Sequence, residues 1–225
     1  MNSVASATTM AMIDEQRAQR GFMSVSDTMN LCARGNVILD PFSTLISIKA
    51  IIGENNIFYP HVVVEVAETG RISISNGNVF WPNCLLLADS GLITIASGNE
   101  FGDGGVSIKA NQSTSEITVG SYGRYIGGVQ ILGKTSLGDG TQVLGSITVQ
   151  NCILESGESY KHPSPDQRGA LLKGFGLARN ITLSQGYVVE GFGHFDQIHI
   201  KLQSYFHPIQ PNSNQQTGTQ NEEKK

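Results

Sequence analysis

Five histidines, three cysteines and a few aromatic side chains are the residues through which this chain could do chemistry. Three imidazoles on one metal would lower the pKa of a bound water. The histidines here are His61, His162, His194, His199 and His207, and no histidine lies between the first two. That spacing gathers no ligand set, so no metal site is predicted. A single imidazole is enough for acyl transfer, where a general base takes the proton of an acceptor hydroxyl or amine. His162 is the candidate catalytic residue, with Asp166 to orient its ring and acyl-CoA as the donor. The competing reading makes His162 a polar loop residue. Lys173-Gly174-Phe175-Gly176 lacks the spacing of a phosphate-binding loop and reads as a structural corner. Cys32, Cys84 and Cys152 are odd in number and far apart, which suits reduced, packed thiols. Tyr59 and Trp81 are the candidate interface residues, since aromatic anchors dominate protein contacts.

These side chains must be positioned by elements, and a repeat supplies them. Val119, Tyr125, Ile131, Leu137, Val143 and Val149 recur every six residues. Four positions after each stand Gly123, Val129, Thr135, Thr141, Ile147 and Ile153, mostly small or β-branched residues suited to an interior corner. Six is a poor match to the 3.6-residue helical period. It fits short strands joined by turns, three hexapeptides to a triangular coil of about 18 residues, each coil burying its apolar side on its neighbours. Upstream the repeat lengthens. IGENNIFYP, ISNGNVFWP and IASGNEFGD begin at Ile52, Ile74 and Ile95, and align Asn56, Asn78 and Asn99 in one ladder and Phe58, Phe80 and Phe101 in another. The surplus residues fall in AETGR (67–71), ADSGL (88–92) and NQSTSE (111–116), predicted to protrude as corners. The rhythm breaks in ESGESYKHPSPDQRG (155–169) and resumes at Leu171, Leu177, Leu183 and Val189.

The fold predicted is all-β: a single-stranded left-handed parallel β-helix of hexapeptide repeats over 31–204, with a loop excursion at 155–169. Residues 1–30 are expected to form a capping segment with a short helix near 13–20. The Gln- and Asn-rich tail, 205–225, is expected to be disordered. Charged residues are 15% of the chain and the net charge is −4 without a dense basic run, which disfavours nucleic acid. No stretch approaches 18 apolar residues and the N-terminus lacks an apolar signal core, so a cytoplasmic protein without a membrane span is expected.

The stretch IIGENNIFYPHVVVEVAETGRISISNGN, and above all FWPNCLLLADSGLITIASGN (80–99), resembles hexapeptide-repeat (LpxA-like) proteins of the γ-carbonic anhydrase-like branch, which includes the small pointed-end subunits of dynactin. The matching elements are the Trp81-Pro82-Asn83 turn, Asp89 at the acidic corner and Ile93-Thr94-Ile95. The anhydrase corner reads Leu87-Ala88-Asp89 here, so its arginine is missing. The resemblance therefore implies a non-catalytic scaffold or assembly subunit, engaging protein partners or self-associating, as a trimer or monomer, through the faces of the prism. The alternative is an acyl-CoA-dependent acyltransferase acting through His162 at a subunit cleft.

Overall fold

The computed structural model describes residues 2–67, 69–196 and 199–207. From Val37 to His194 the described residues form a single-stranded left-handed parallel β-helix with three flat faces. The first face begins with Val37–Ile38, the second with Leu45–Ile46 and the third with Ile51–Ile52; up to Tyr187–His194 each strand pairs in parallel with its equivalents in the neighbouring coils. First-face register pairs Val37 with Ile57, then Val79, Glu100, Arg124, Gln142, Leu171 and Val188. Successive coils thus take 20, 22, 21, 24, 18, 29 and 17 residues. The long coils carry the protruding corners or the 155–169 excursion, and the strands stay aligned because backbone hydrogen bonds run from coil to coil.

The interior is a set of columns. Phe58, Phe80 and Phe101 are fully buried and stack at 5.1 and 4.9 Å, with Tyr125 continuing the column at 5.2 Å from Phe101. The asparagine column has one rung more than the sequence repeat displays, because Asn36 precedes Asn56, Asn78 and Asn99, all buried. Each Oδ1 accepts the backbone N–H of the next rung, at 2.9 Å from Asn56, 2.8 Å from Asn78 and 3.0 Å from Asn99. The column ends where Gly123 N–H donates to Asn99 Oδ1 at 2.8 Å. A Cβ at Gly123 would overlap the Tyr125 hydroxyl, which fills the vacated space and bonds Thr141 Oγ1 at 2.9 Å. Glycine and tyrosine therefore replace asparagine and phenylalanine as a pair. Burial holds the Tyr125 phenol well above its ordinary pKa.

The register differs from the hexapeptide reading in three places. Cys152, not Ile153, takes the inward corner: Cys152 is fully buried and Ile153 is 50% exposed. The step from Leu137 to Leu154 is 17 residues, so one residue is missing from that coil. After the excursion Val143 pairs with Leu172 and Val149 with Ala178, so these two, not Leu171 and Leu177, lie on the inward columns. With a side-chain period of two, a slip of one residue exchanges inside for outside. Leu183 and Val189 lie inside as the repeat predicts. The strand Leu171–Arg179 serves two faces without a break, turning the corner at Gly174 and Gly176, with φ of 114° and 118°.

The N-terminal helix is longer than the sequence signals. α1 spans Asn2–Gln19 and is followed by α2, Val25–Asn30, and a 3₁₀ turn, Leu31–Arg34. Its Ala, Met, Gln and Glu content favours helix throughout, and buried Arg17 ties it to the first coil through Pro41 O at 2.9 Å and Thr44 O at 2.6 Å. At the other end Ile200–Leu202 pairs antiparallel with Tyr187–His194, and Gln203–Phe206 forms a 3₁₀ turn. Residues 208–225, most of the tail expected to be disordered, lie outside the described residues.

Two stability predictions follow from the columns. Asn78→Ala strands the N–H groups of Asn99 and should cost about 2–4 kcal/mol in chemical unfolding, whereas Asn76→Ala on the exposed turn should cost under about 1 kcal/mol. Equal costs would contradict the ladder. Gly123→Ala should destabilise the protein strongly while Tyr125 is present, since the added Cβ would also lie 2.7 and 2.9 Å from ring atoms Cζ and Cε2, and Tyr125→Leu, which removes the ring, should lessen the cost of the added methyl. A double-mutant cycle showing simple additivity would refute the pairing.

Candidate functional site

The 155–169 excursion leaves the third face after Leu154 and re-enters the first at Leu171. It is fastened at several points. Glu158 bridges Arg168, and Gly186 N–H donates to Arg168 O at 2.9 Å. Gln203 Nε2 donates to Gly169 O at 2.7 Å and Gln185 Nε2 to Gln167 O at 2.9 Å. Tyr160 lies against Arg124, whose guanidinium carbon is 5.2 Å from the ring centre, and Arg124 Nε is 3.7 Å from Glu100. The excursion thus packs toward the charged lower half of the first face.

His162 is half-buried in this loop. Its Nδ1 accepts the Ser164 N–H at 3.2 Å, and Arg168 Nε donates to the His162 carbonyl at 2.9 Å. Nδ1 also lies 3.3 Å from Ser164 O, to which it would donate in the other tautomer, so the ring is held within its own turn in either form. Asp166 accepts from the Ser204 N–H at 2.8 Å, tying the loop to the C-terminal turn. The sequence pairs Asp166 with His162; the geometry gives each a different partner.

The other histidines are scattered. His61 is exposed with φ of 63° at a corner, its N–H on Ser43 Oγ at 3.1 Å. His194 and His199 share a cleft of about 290 Å³ near the C-terminal hairpin with Glu190, Lys201 and Phe206. Lys173 spans this region, 3.1 Å from Glu190 Oε1 and with Nζ 3.3 Å from the centre of the Phe206 ring. Nothing in the sequence periodicity signals that cluster, because antiparallel closure of the last strand creates it. No group of three or more His, Cys, Asp or Glu is placed to hold a metal among the described residues. The corners at 67–71, 88–92 and 111–116 border a groove of about 620 Å³ that includes Arg71, Ser90, Glu116 and Lys134. The Glu116–Lys134 pair there, at 3.9 Å, is exposed and contributes little.

Tyr59 and Trp81, the candidate interface residues, lie side by side. Their rings stack at 4.7 Å and 14° on the outside of the first face. Register places them in an outward column after Leu39, beside a second column of Val37, Ile57 and Val79. Leu39 and Val37 are 53% and 42% exposed, and the remaining four are half-buried by their neighbours in the stack. Three coils therefore present two apolar columns side by side, and the next coil replaces them with Glu100 and Gly102.

Two of the three cysteines, Cys84 and Cys152, are packed inside the coils. Cys84 is buried, its Sγ donates to Phe101 O at 3.3 Å, and burial pushes its pKa up to about 11. Burial also raises the Cys152 pKa. In native protein at pH 8, both thiols should resist a thiol-specific disulfide reagent over a time in which denatured protein titrates all three. Fast reaction at Cys84 would contradict its burial. The sign is that of a neutral thiol favoured by folding: its stabilising contribution is present below the unfolded pKa and is lost as pH rises toward about 11.

No helix among the described residues is long and apolar enough to cross a membrane. No family profile matches the chain and no curated protein matches it. Among solved structures it is similar to LpxA from Acinetobacter baumannii, at 17% identity and a TM-score of 0.34 over 70% of this chain and 69% of that one. It is also similar to a perosamine N-acetyltransferase variant from Caulobacter crescentus, solved with CoA and GDP-perosamine, at 13% identity and a TM-score of 0.24 over 74% of this chain and 55% of that one.

Proposed function

We propose that this chain is a non-catalytic hexapeptide-repeat scaffold, a cytoplasmic assembly subunit of the kind represented by the small pointed-end subunits of dynactin. The observation that carries the reading is the pair of apolar columns on the first face, Val37, Ile57 and Val79 beside Leu39, Tyr59 and Trp81. A flat β-face has no reason to keep six apolar side chains outward unless another surface covers them, and aromatic residues at the centre of such a patch are the usual anchors of a protein contact. Ile57, Tyr59, Val79 and Trp81 lie along strands hydrogen-bonded on both edges, and Val37 and Leu39 along the first strand, paired on one, so binding immobilises little additional chain. Asp166 bonds the Ser204 N–H rather than the His162 ring, so the orienting carboxylate that the transferase reading gives His162 is engaged elsewhere.

The test is a comparison of wild type with Ile57→Asp, which changes an outward position and leaves the interior columns intact. Wild type is expected to sediment within a larger protein assembly from its native source, and Ile57→Asp to melt within a few degrees of wild type yet sediment alone. Unchanged assembly by a folded Ile57→Asp protein would defeat the proposal. So would a saturable rise in melting temperature with acetyl-CoA that His162→Ala removes, which would favour the transferase; a real site should stabilise by about 2.7 kcal/mol at a hundredfold excess over Kd.

A further inference from the structure

Between α1 and the first coil runs an open groove of about 580 Å³. Its walls are built from Met12, Ile13, Phe22 and Leu45, and two arginines, Arg17 and Arg20, also line it. The volume lies in the range of small-molecule sites, which are apolar with a few placed polar groups. Arg17 is the unusual component. It is 6% exposed, and its guanidinium donates to neutral oxygens: Pro41 O at 2.9 Å, Thr44 O at 2.6 Å and Thr28 Oγ1 at 3.5 Å. Its Nε–H is fully buried and has no hydrogen-bond partner. Asp14 accepts the Val25 N–H at 2.7 Å and acts on Arg17 through space, against the burial that lowers the guanidinium pKa.

A desolvated cation without a contacting anion is costly, and a free N–H adds to the cost. The groove thus has apolar walls and an unmatched positive charge, which together define the complement: an apolar chain ending in one negative group. A nucleotide or sugar phosphate brings many polar atoms that these walls cannot satisfy. A neutral hydrocarbon leaves the charge as it stands. We propose that this groove binds an aliphatic monocarboxylate, its chain lying on Met12, Ile13, Phe22 and Leu45 and its carboxylate drawn to Arg17 and Arg20. The inference stands apart from the scaffold reading, since it uses none of the first-face apolar columns.

The experiment is calorimetric titration of the full chain with decanoate, below its micelle concentration, alongside decanol and decyltrimethylammonium. Decanoate is expected to saturate one site and to bind at least roughly tenfold more tightly than either comparator, the scale of one charge-assisted hydrogen bond. Arg17 also holds α1 in place, so its replacement could unfold the cap; Arg20→Gln and Met12→Glu are the informative variants. Arg20→Gln should weaken decanoate roughly tenfold and leave decanol unchanged, and Met12→Glu, at a position 62% exposed, should abolish decanoate binding in a protein that still folds. Equal affinity for decanoate and decanol would overturn the proposal, as would the absence of saturable binding or binding indifferent to Met12→Glu. Concentration-dependent dimerisation that Met12→Glu removes would also overturn it, because the groove would then belong to a second copy of the chain.

Discussion

Every coil of this protein must hand its backbone hydrogen bonds to the coil above and below, because no described strand before the C-terminal hairpin has a partner within its own coil. That constraint fixes the distance between coils at the spacing of paired strands and forces equivalent residues into columns. It explains why like side chains recur down the interior, stacking as the phenylalanines do or bonding from rung to rung as the asparagines do. It also explains where variation is allowed. Extra residues can be inserted at a corner without disturbing the ladder, and the coils of 22, 21 and 24 residues and the 29-residue coil all place theirs there.

The asparagine column shows how strictly the constraint operates. An amide buried between coils offers one acceptor and two donors, and each rung spends its oxygen on the next coil's backbone. Where the column stops, two positions change together: Gly123 gives up its side chain and Tyr125 adds a hydroxyl that occupies the space and reaches Thr141. Thr135 and Thr141 then satisfy their own hydroxyls on carbonyls three residues back, so the shorter coils carry no amide and need none. The long and short coils are two solutions to the same requirement that buried polar atoms be paired.

Much of this was readable from spacing. The steps from Ile52 to Ile74, Ile95 and Val119 are the strand register itself, and Tyr59 and Trp81 stack because they occupy one outward position in consecutive coils. What spacing could not reveal is a deletion of one residue. Ile153 and Cys152 exchange roles, as do Leu171 with Leu172 and Leu177 with Ala178, because both alternatives are apolar and only register separates them. Asn36 was invisible because its coil lacks the Phe that marks the others; Ile38 stands in that place. The site was less legible than the fold. His162 was identified by type and loop, but its bond to Ser164 and the tie of Asp166 to Ser204 depend on how the excursion folds back.

The central claim is that the first face, over its upper three coils, is where this protein meets its partner. Site-specific photo-cross-linking tests it most directly, with a photoreactive residue at position 57 on the first face or position 94 on the third. The account predicts that the probe at 57 captures a partner protein at a single defined site and that the probe at 94 captures none. Capture from 94 with silence at 57 would contradict it.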